Sequence, residues 1–283
     1  MTTTSNLKLK PLLLLSSDQN GAGPGKTETG SDPNLALVPW KGRVLLDLGD
    51  GSEVMYIPRF LAYEDAWTYF DYLNKHIPWT RPTIRVFGRS CPQPRDVCYI
   101  AEEGLPSLVY SGFQPYAHSW EEFPPLKDIL AAVLKALPGS SFNSILLNRY
   151  KGGSDYVSWH SDDEKVYGPT PEIASVSFGC EREFLLKRKP SKGFRATSKG
   201  LLMASSSGDE PPSKRSKKVT DLSTDQQQHV FTLKHGSLLV MRGYTQRDWL
   251  HSVPKRTKAE SIRINLTFRL LVSSSSRCEQ KGK

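Results

Sequence analysis

Between Ser261 and Leu270 polar and apolar residues alternate almost without a break. Ser261, Arg263, Asn265, Thr267 and Arg269 fall on one side, and Ile262, Ile264, Leu266, Phe268 and Leu270 on the other. Side chains change face at each step of an extended backbone, so this segment predicts a strand with one polar and one apolar face. Shorter β-like runs at Val44–Leu48, Ser144–Tyr150, Ile173–Phe178, Glu183–Lys187 and Gly236–Met241, separated by turn-rich links, predict further strands. The period changes in two places. From Tyr63, the residues Ala66, Trp67, Phe70 and Leu73 mark one face of a helix that Pro78 ends. From about Pro125 to Leu137, the stripe Leu126, Ile129, Leu130, Val133, Leu134 and Leu137 marks a second, with proline at its start and Pro138-Gly139 after it. Many short strands and two leading helices predict a mainly β sandwich or barrel, with the helices buttressing the outside of one sheet.

Length and charge refine this outline. The chain has 283 residues, room for one large domain or two small ones. Residues 1–35, rich in Thr, Ser, Gly, Asn and Asp, read as a disordered tail, as do residues 273–283. The parts between divide into a helix-bearing region over 36–143 and a β core over 144–272. Net charge is +9, and between Lys187 and Lys218 there are ten Lys/Arg against two Asp/Glu. Most of the excess therefore sits in a Ser/Lys/Pro/Gly-rich stretch, 189–228, read as a flexible basic insertion between two strands of a hairpin. Any surface for a polyanion elsewhere must come from local clusters. Lys214–Lys218 reads either as a nuclear-import signal or as a solvated charge run. No apolar run reaches the roughly 18 residues of a membrane span, and Leu12–Leu15 is too short for a signal peptide. A soluble protein that is not secreted is expected. The four cysteines make no C-x-x-C pair or zinc spacing, and Cys180 reads as core.

The candidate chemistry begins at His160-Ser161-Asp162. On extended backbone the imidazole and the carboxylate point the same way. Two ligands hold a transition metal poorly, and His251 is the candidate third. Two histidines and a carboxylate on one face of a metal leave the other face open, the arrangement of non-haem Fe(II) oxygenases. The polar face of the Ser261–Leu270 strand admits two readings. It faces solvent, the default for an antiparallel sheet, or it lines a barrel interior. In the second case Arg263 and Arg269 need an anionic companion, and a small dicarboxylate would supply one. Asn148 and Tyr150, sharing a face of their own segment, would complete such a pocket.

Taken in order, Asn148-Arg-Tyr150, His160-Ser-Asp162, Ile173–Phe178, His235-Gly-Ser-Leu-Leu239, His251-Ser and Arg263-Ile-Asn-Leu-Thr-Phe-Arg269 resemble the AlkB-type Fe(II)/2-oxoglutarate dioxygenases over roughly residues 80–271. Val86-Phe-Gly-Arg89 and His160–Glu164 resemble the eukaryotic DNA-repair branch. The resemblance implies a double-stranded β-helix (jelly-roll) core and Fe(II) on His160, Asp162 and His251. It implies 2-oxoglutarate held by Arg263, with Asn148, Tyr150, Thr267 and Arg269 around it, and O2 as the other co-substrate. The implied reaction is oxidative removal of alkyl groups from bases such as 1-methyladenine, 3-methylcytosine or etheno adducts in DNA, with release of formaldehyde. A nuclear monomer acting on duplex or single-stranded DNA is the matching expectation, with residues 36–143 as the nucleotide-recognition region. RNA demethylation and a non-catalytic, metal-containing nucleic-acid-binding protein are the alternatives.

A pairing-edge methyl is unreachable inside a duplex, so the base must flip out. Phe87, among Val86, Gly88 and Arg89, reads as an apolar wedge for the gap or as a core residue of a hairpin. Tyr110 reads as a stacking partner for the flipped base or as a packed strand tyrosine. Asp163 reads as a base contact or part of a solvated acidic turn. Arg256 and Lys258 read as phosphate contacts or a solvent-facing turn.

Overall fold

A computed structural model describes residues 42–86, 88–190 and 228–272. The tails, most of the 189–228 insertion with Lys214–Lys218, Phe87, and the side chain of Val86 lie outside the described residues.

Fourteen strands follow in chain order among the described residues. They are β1 (Val44–Gly49), β2 (Ser52–Ile57), β3 (Thr83–Val86), β4 (Arg89–Pro92), β5 (Asp96–Ala101), β6 (Ala117–His118), β7 (Ser144–Tyr150), β8 (Val157–His160), β9 (Ile173–Gly179), β10 (Arg182–Arg188), β11 (Gln228–Leu233), β12 (Ser237–Gly243), β13 (Trp249–Val253) and β14 (Arg263–Arg269). Eight form a large sheet in the order β1-β2-β12-β9-β14-β7-β5-β6, and four form a smaller sheet, β11-β10-β13-β8. β3 and β4 make a separate hairpin. The two sheets are the halves of the expected double-stranded β-helix. Strands from both sides of residue 144 share the large sheet, with β5 paired to β7 and β2 to β12.

The helices α1 (Tyr63–His76) and α2 (Pro124–Ala136) cover the outer face of the large sheet. There Ala66, Tyr69 and Leu73 of α1 and Leu126, Ile129 and Val133 of α2 join Ile264, Leu266 and Phe268 of β14 in one core cluster. The buried face of α1 is rotated from its expected position. Tyr69 is buried, whereas Trp67 sits at the rim, 36% exposed, stacked on His235 with ring centroids 4.1 Å apart. Indole is large enough to cover a sheet edge while keeping one side wet. Cys180, expected in the core, is only half-buried because β9 ends at Gly179 and the chain turns outward.

With Ile264, Leu266 and Phe268 committed to the helices, period-2 alternation turns Arg263, Asn265, Thr267 and Arg269 inward. All four are buried, Arg263 to 1% exposure. Between the sheets Tyr150 of β7 shares a second apolar cluster with Phe184, Leu186, Trp249 and Val253 of the small sheet. The polar face of β14 therefore lines an interior and does not meet solvent.

Candidate active site

The small sheet delivers the three candidate ligands. His160 closes β8 and pairs directly with His251 on β13, which brings the imidazole centroids to 4.2 Å. Asp162 follows two residues on, its Oδ1 lying 3.8 Å from His160 Nε2. One ligand atom from each of His160, Asp162 and His251 lies within 4.8 Å of the others. The Ser158 carbonyl, 2.8 Å from His160 Nδ1, can only accept, so that nitrogen carries the proton and Nε2 keeps its lone pair. Burial, with His160 alongside, pulls His251 down to about 3. Burial likewise lowers His160. Both rings are thus neutral and ready to ligate. Burial works to raise the Asp162 carboxyl, but the Arg269 guanidinium bonded to it outweighs that and holds it well below the usual range.

Behind the triad lies the polar face of β14. Arg269 donates to Asp162 Oδ2 from Nη2 at 2.8 Å and from Nε at 3.3 Å. Arg263 donates from Nη2 to Asn265 Oδ1 at 2.7 Å and to Ser177 Oγ at 3.0 Å, while its Nε and Nη1 have no partner among the described residues. Burial lowers its pKa. Its guanidinium lies over the Tyr150 ring at 5.1 Å, and that of Arg182 over the same ring at 5.5 Å. Thr267 receives a hydrogen bond from Asn265 Nδ2 at 2.9 Å, and Asn148 receives one from Arg95 Nε at 2.6 Å.

The candidate base- and DNA-contacting residues sit on the surrounding loops. Val86 pairs with Arg89 across the β3–β4 hairpin, with Gly88 at φ 76° between them. That hairpin is tied to the next loop by the Arg85 N–H bond to Ser111 O at 3.0 Å. Tyr110, half-buried in this loop, approaches Gln93 Oε1 with its hydroxyl at 3.4 Å. Asp163 is exposed and accepts from Ser161 Oγ at 3.0 Å. Arg256 and Lys258 are exposed on the loop after β13. That loop is pressed against Gly153, where a Cβ would lie 1.8 Å from Arg256 O, so only glycine allows the approach.

A four-strand sheet offering two imidazoles and a carboxylate, backed by an interior row of arginines, defines an oxygenase-type metal pocket in a jelly-roll. The chain belongs to the 2OG-Fe(II) oxygenase superfamily, which matches residues 53–269. It is 64% identical over 240 residues to the DNA oxidative demethylase ALKBH2 of Arabidopsis thaliana, covering 85% of this chain and 72% of that protein. It is 35% identical over 220 residues to the alpha-ketoglutarate-dependent dioxygenase alkB homolog 3 of Bos taurus, covering 77% of this chain and 66% of that one. Over 189 residues it is 34% identical to the DNA oxidative demethylase ALKBH2 of Homo sapiens, covering 67% and 61%.

Members of this superfamily work with Fe(II), 2-oxoglutarate and O2. The residues present fit that set. The donors are those that suit Fe(II), and the buried guanidinium of Arg263, with no carboxylate beside it among the described residues and Nε and Nη1 without a hydrogen-bond partner, suits an anionic co-substrate. Asn265, on the polar face of β14 but given no role of its own by the sequence, braces Arg263. Arg95 and Gln246, which contact Asn148 and Asp162, carried no local signal at all.

Proposed function

We propose that this chain is an Fe(II)/2-oxoglutarate-dependent DNA dealkylating dioxygenase that restores N-alkylated bases such as 1-methyladenine and 3-methylcytosine. The reading rests chiefly on the convergence of His160, Asp162 and His251, with the buried Arg263 on the same inward face of β14 as the Arg269 that holds Asp162. The Arabidopsis relative, alike over most of both chains, is named a DNA oxidative demethylase, which supports DNA as the substrate.

His160, Asp162 and His251 would hold the iron, and bound iron with 2-oxoglutarate supplies the oxidation of the alkyl carbon from O2. The rest falls to the side chains. Arg263, Asn148, Tyr150 and Thr267 bind and orient the dicarboxylate co-substrate. Arg269 holds one Asp162 oxygen so that the other stays aimed at the metal. The apolar cluster around Phe184, Leu186 and Trp249 keeps water from the back of the site.

The substrate enters from the loop side. Tyr110 stacks on the flipped base, Asp163 accepts from its exocyclic amine, and Phe87 fills the vacated gap, with Val86 and Gly88 shaping the hairpin around it. Arg89, Arg256 and Lys258 contact phosphates. Duplex DNA is the preferred substrate, and the enzyme acts as a monomer in the nucleus, imported through Lys214–Lys218. No helix among the described residues is long and apolar enough to cross a membrane.

The experiment is a panel of oligonucleotides carrying one 1-methyladenine or 3-methylcytosine, as duplex DNA, single-stranded DNA and RNA. Each is incubated aerobically with Fe(II), ascorbate and 2-oxoglutarate and read by mass spectrometry. Conversion fastest on duplex DNA supports the reading. Conversion of RNA alone would overturn it.

A further inference from the structure

The backbone of Asp162 is held by a residue far away in sequence. Gln246 lies in the short helix α3 (Thr245–Asp248) and is 2% exposed. Its Oε1 accepts the Asp162 N–H at 2.9 Å, and its Nε2 rests against Met241 Sδ at 3.3 Å. A thioether is a weak acceptor, so the amide oxygen makes the strong bond of this side chain. The Gln246 carbonyl accepts from Lys189 Nζ at 2.9 Å, and the same ammonium stands 3.4 Å from Asp163 Oδ2. Residues 162 and 163 are thus both tethered to one residue of α3.

The mount is firm. Thr245 receives the Glu53 N–H on Oγ1 at 3.1 Å and donates to backbone carbonyl oxygen, and the Tyr244 N–H bonds Gly51 O at 3.1 Å. Gly243 lets these segments touch, since a Cβ there would lie 1.9 Å from Gly51 O. α3 is therefore fastened to β2, in the large sheet, while Asp162 follows the last strand of the small one.

We infer that Gln246 is a positioning residue for the metal centre: its amide oxygen fixes the main chain at Asp162, Arg269 fixes one carboxylate oxygen, and the remaining oxygen is left in ligating position. The inference rests on the reading of His160, Asp162 and His251 as the iron site. A ligand loop fixed at both backbone and side chain gives up little freedom when the metal binds. Outer partners of this kind typically change metal affinity by about 10–100-fold when removed.

The test titrates Mn(II) into the metal-free full chain and its variants, read by electron paramagnetic resonance of the free ion. Asp162→Ala is expected to lose binding. Gln246→Leu, close in volume but without the acceptor, is expected to bind Mn(II) at least about tenfold more weakly. Gln246→Glu, which keeps an acceptor oxygen, is expected to bind closer to wild type than to the leucine variant. In the metal-free wild-type chain the amide hydrogen of residue 162 is expected to be protected from exchange with solvent. This measurement needs no variant and decides the matter should Gln246→Leu fail to fold. Wild-type affinity in the leucine variant, or an unprotected amide at 162, would overturn the role of Gln246 while loss of binding in Asp162→Ala left the metal site standing. Wild-type affinity in Asp162→Ala would overturn both.

Discussion

Arg269 grips Asp162 by one carboxylate oxygen, Oδ2, at 2.8 Å from Nη2 and 3.3 Å from Nε. Both side chains are buried, and the other oxygen, Oδ1, is the one facing His160. The pair thus keeps a buried anion charged and leaves half of it free for a metal. Burial works to lower the Arg269 pKa, but Asp162 outweighs it and raises the guanidinium above its ordinary value.

Replacing Arg269 by lysine keeps the charge but loses the planar fork. Turnover and Mn(II) affinity are both expected to fall about 10–100-fold, as for other groups that orient a metal ligand. Initial rates and a Mn(II) titration check this. Unchanged affinity would show that Asp162 does not depend on its partner.

Arg263 makes a different prediction, because its charge is buried with two donors unused. Arg263→Met should weaken 2-oxoglutarate binding to the Mn(II)-loaded protein by about 100-fold, the cost of removing one side of a buried charge pair. Calorimetric titration measures it. In the metal-free chain the same change should be neutral or stabilising, since an uncompensated buried charge is replaced by an apolar side chain. A lowered melting temperature with unaltered co-substrate binding would place the carboxylate elsewhere.

Asp96, 3% exposed, accepts from Arg81 at 2.7 Å and Arg149 at 2.8 Å and pairs with Lys151 at 3.1 Å. Arg81 also clasps Asp155, in the loop leading to β8 and His160. Asp96→Asn should cost about 2 kcal/mol in denaturant unfolding, less than a fully buried pair because Arg81 and Lys151 remain partly solvated. Burial works to raise the Asp96 carboxyl, but hydrogen bonds from Arg149, Arg81 and Lys151 bring it below its usual 3.8. Its stabilisation is therefore present above pH 3.8 and disappears as pH falls through the lower folded-state value. The variant and the wild type should converge in stability at acid pH. A constant gap across that range would contradict the assignment.

Phe87 separates the two substrate forms. If it fills the gap left by a flipped base, Phe87→Ala should slow repair of duplex DNA at least about tenfold, given an unstacking cost of a few kcal/mol. Single-stranded repair should change little. Rates on matched oligonucleotides decide it, and equal losses on both would remove the wedge.

How far residues alone could lead depended on whether function shared the period of the fold. The β14 alternation showed which side chains travel together, yet it could not say which face was wet. That answer needed the helices, because α1 and α2 claim Ile264, Leu266 and Phe268 and so force Arg263 and Arg269 inward. β7 was legible to its end residues, while β5, buried along its whole length, has no alternation to read. Chemistry alone makes His251 the candidate third ligand, whereas its place opposite His160 is set by the β8–β13 register, which no local pattern encodes. Arg95 and Gln246 reach their partners across 53 and 84 residues of chain, distances at which no local pattern carries information.

The most direct test of the central claim pairs two readings in one assay: adenine restored from 1-methyladenine in a DNA duplex, and succinate formed from 2-oxoglutarate. The account predicts that wild-type protein with Fe(II) produces both, that each repair is matched by at least one succinate, and that Asp162→Ala produces neither. Unchanged 1-methyladenine with iron-loaded wild-type protein, or equal repair by Asp162→Ala, would contradict it.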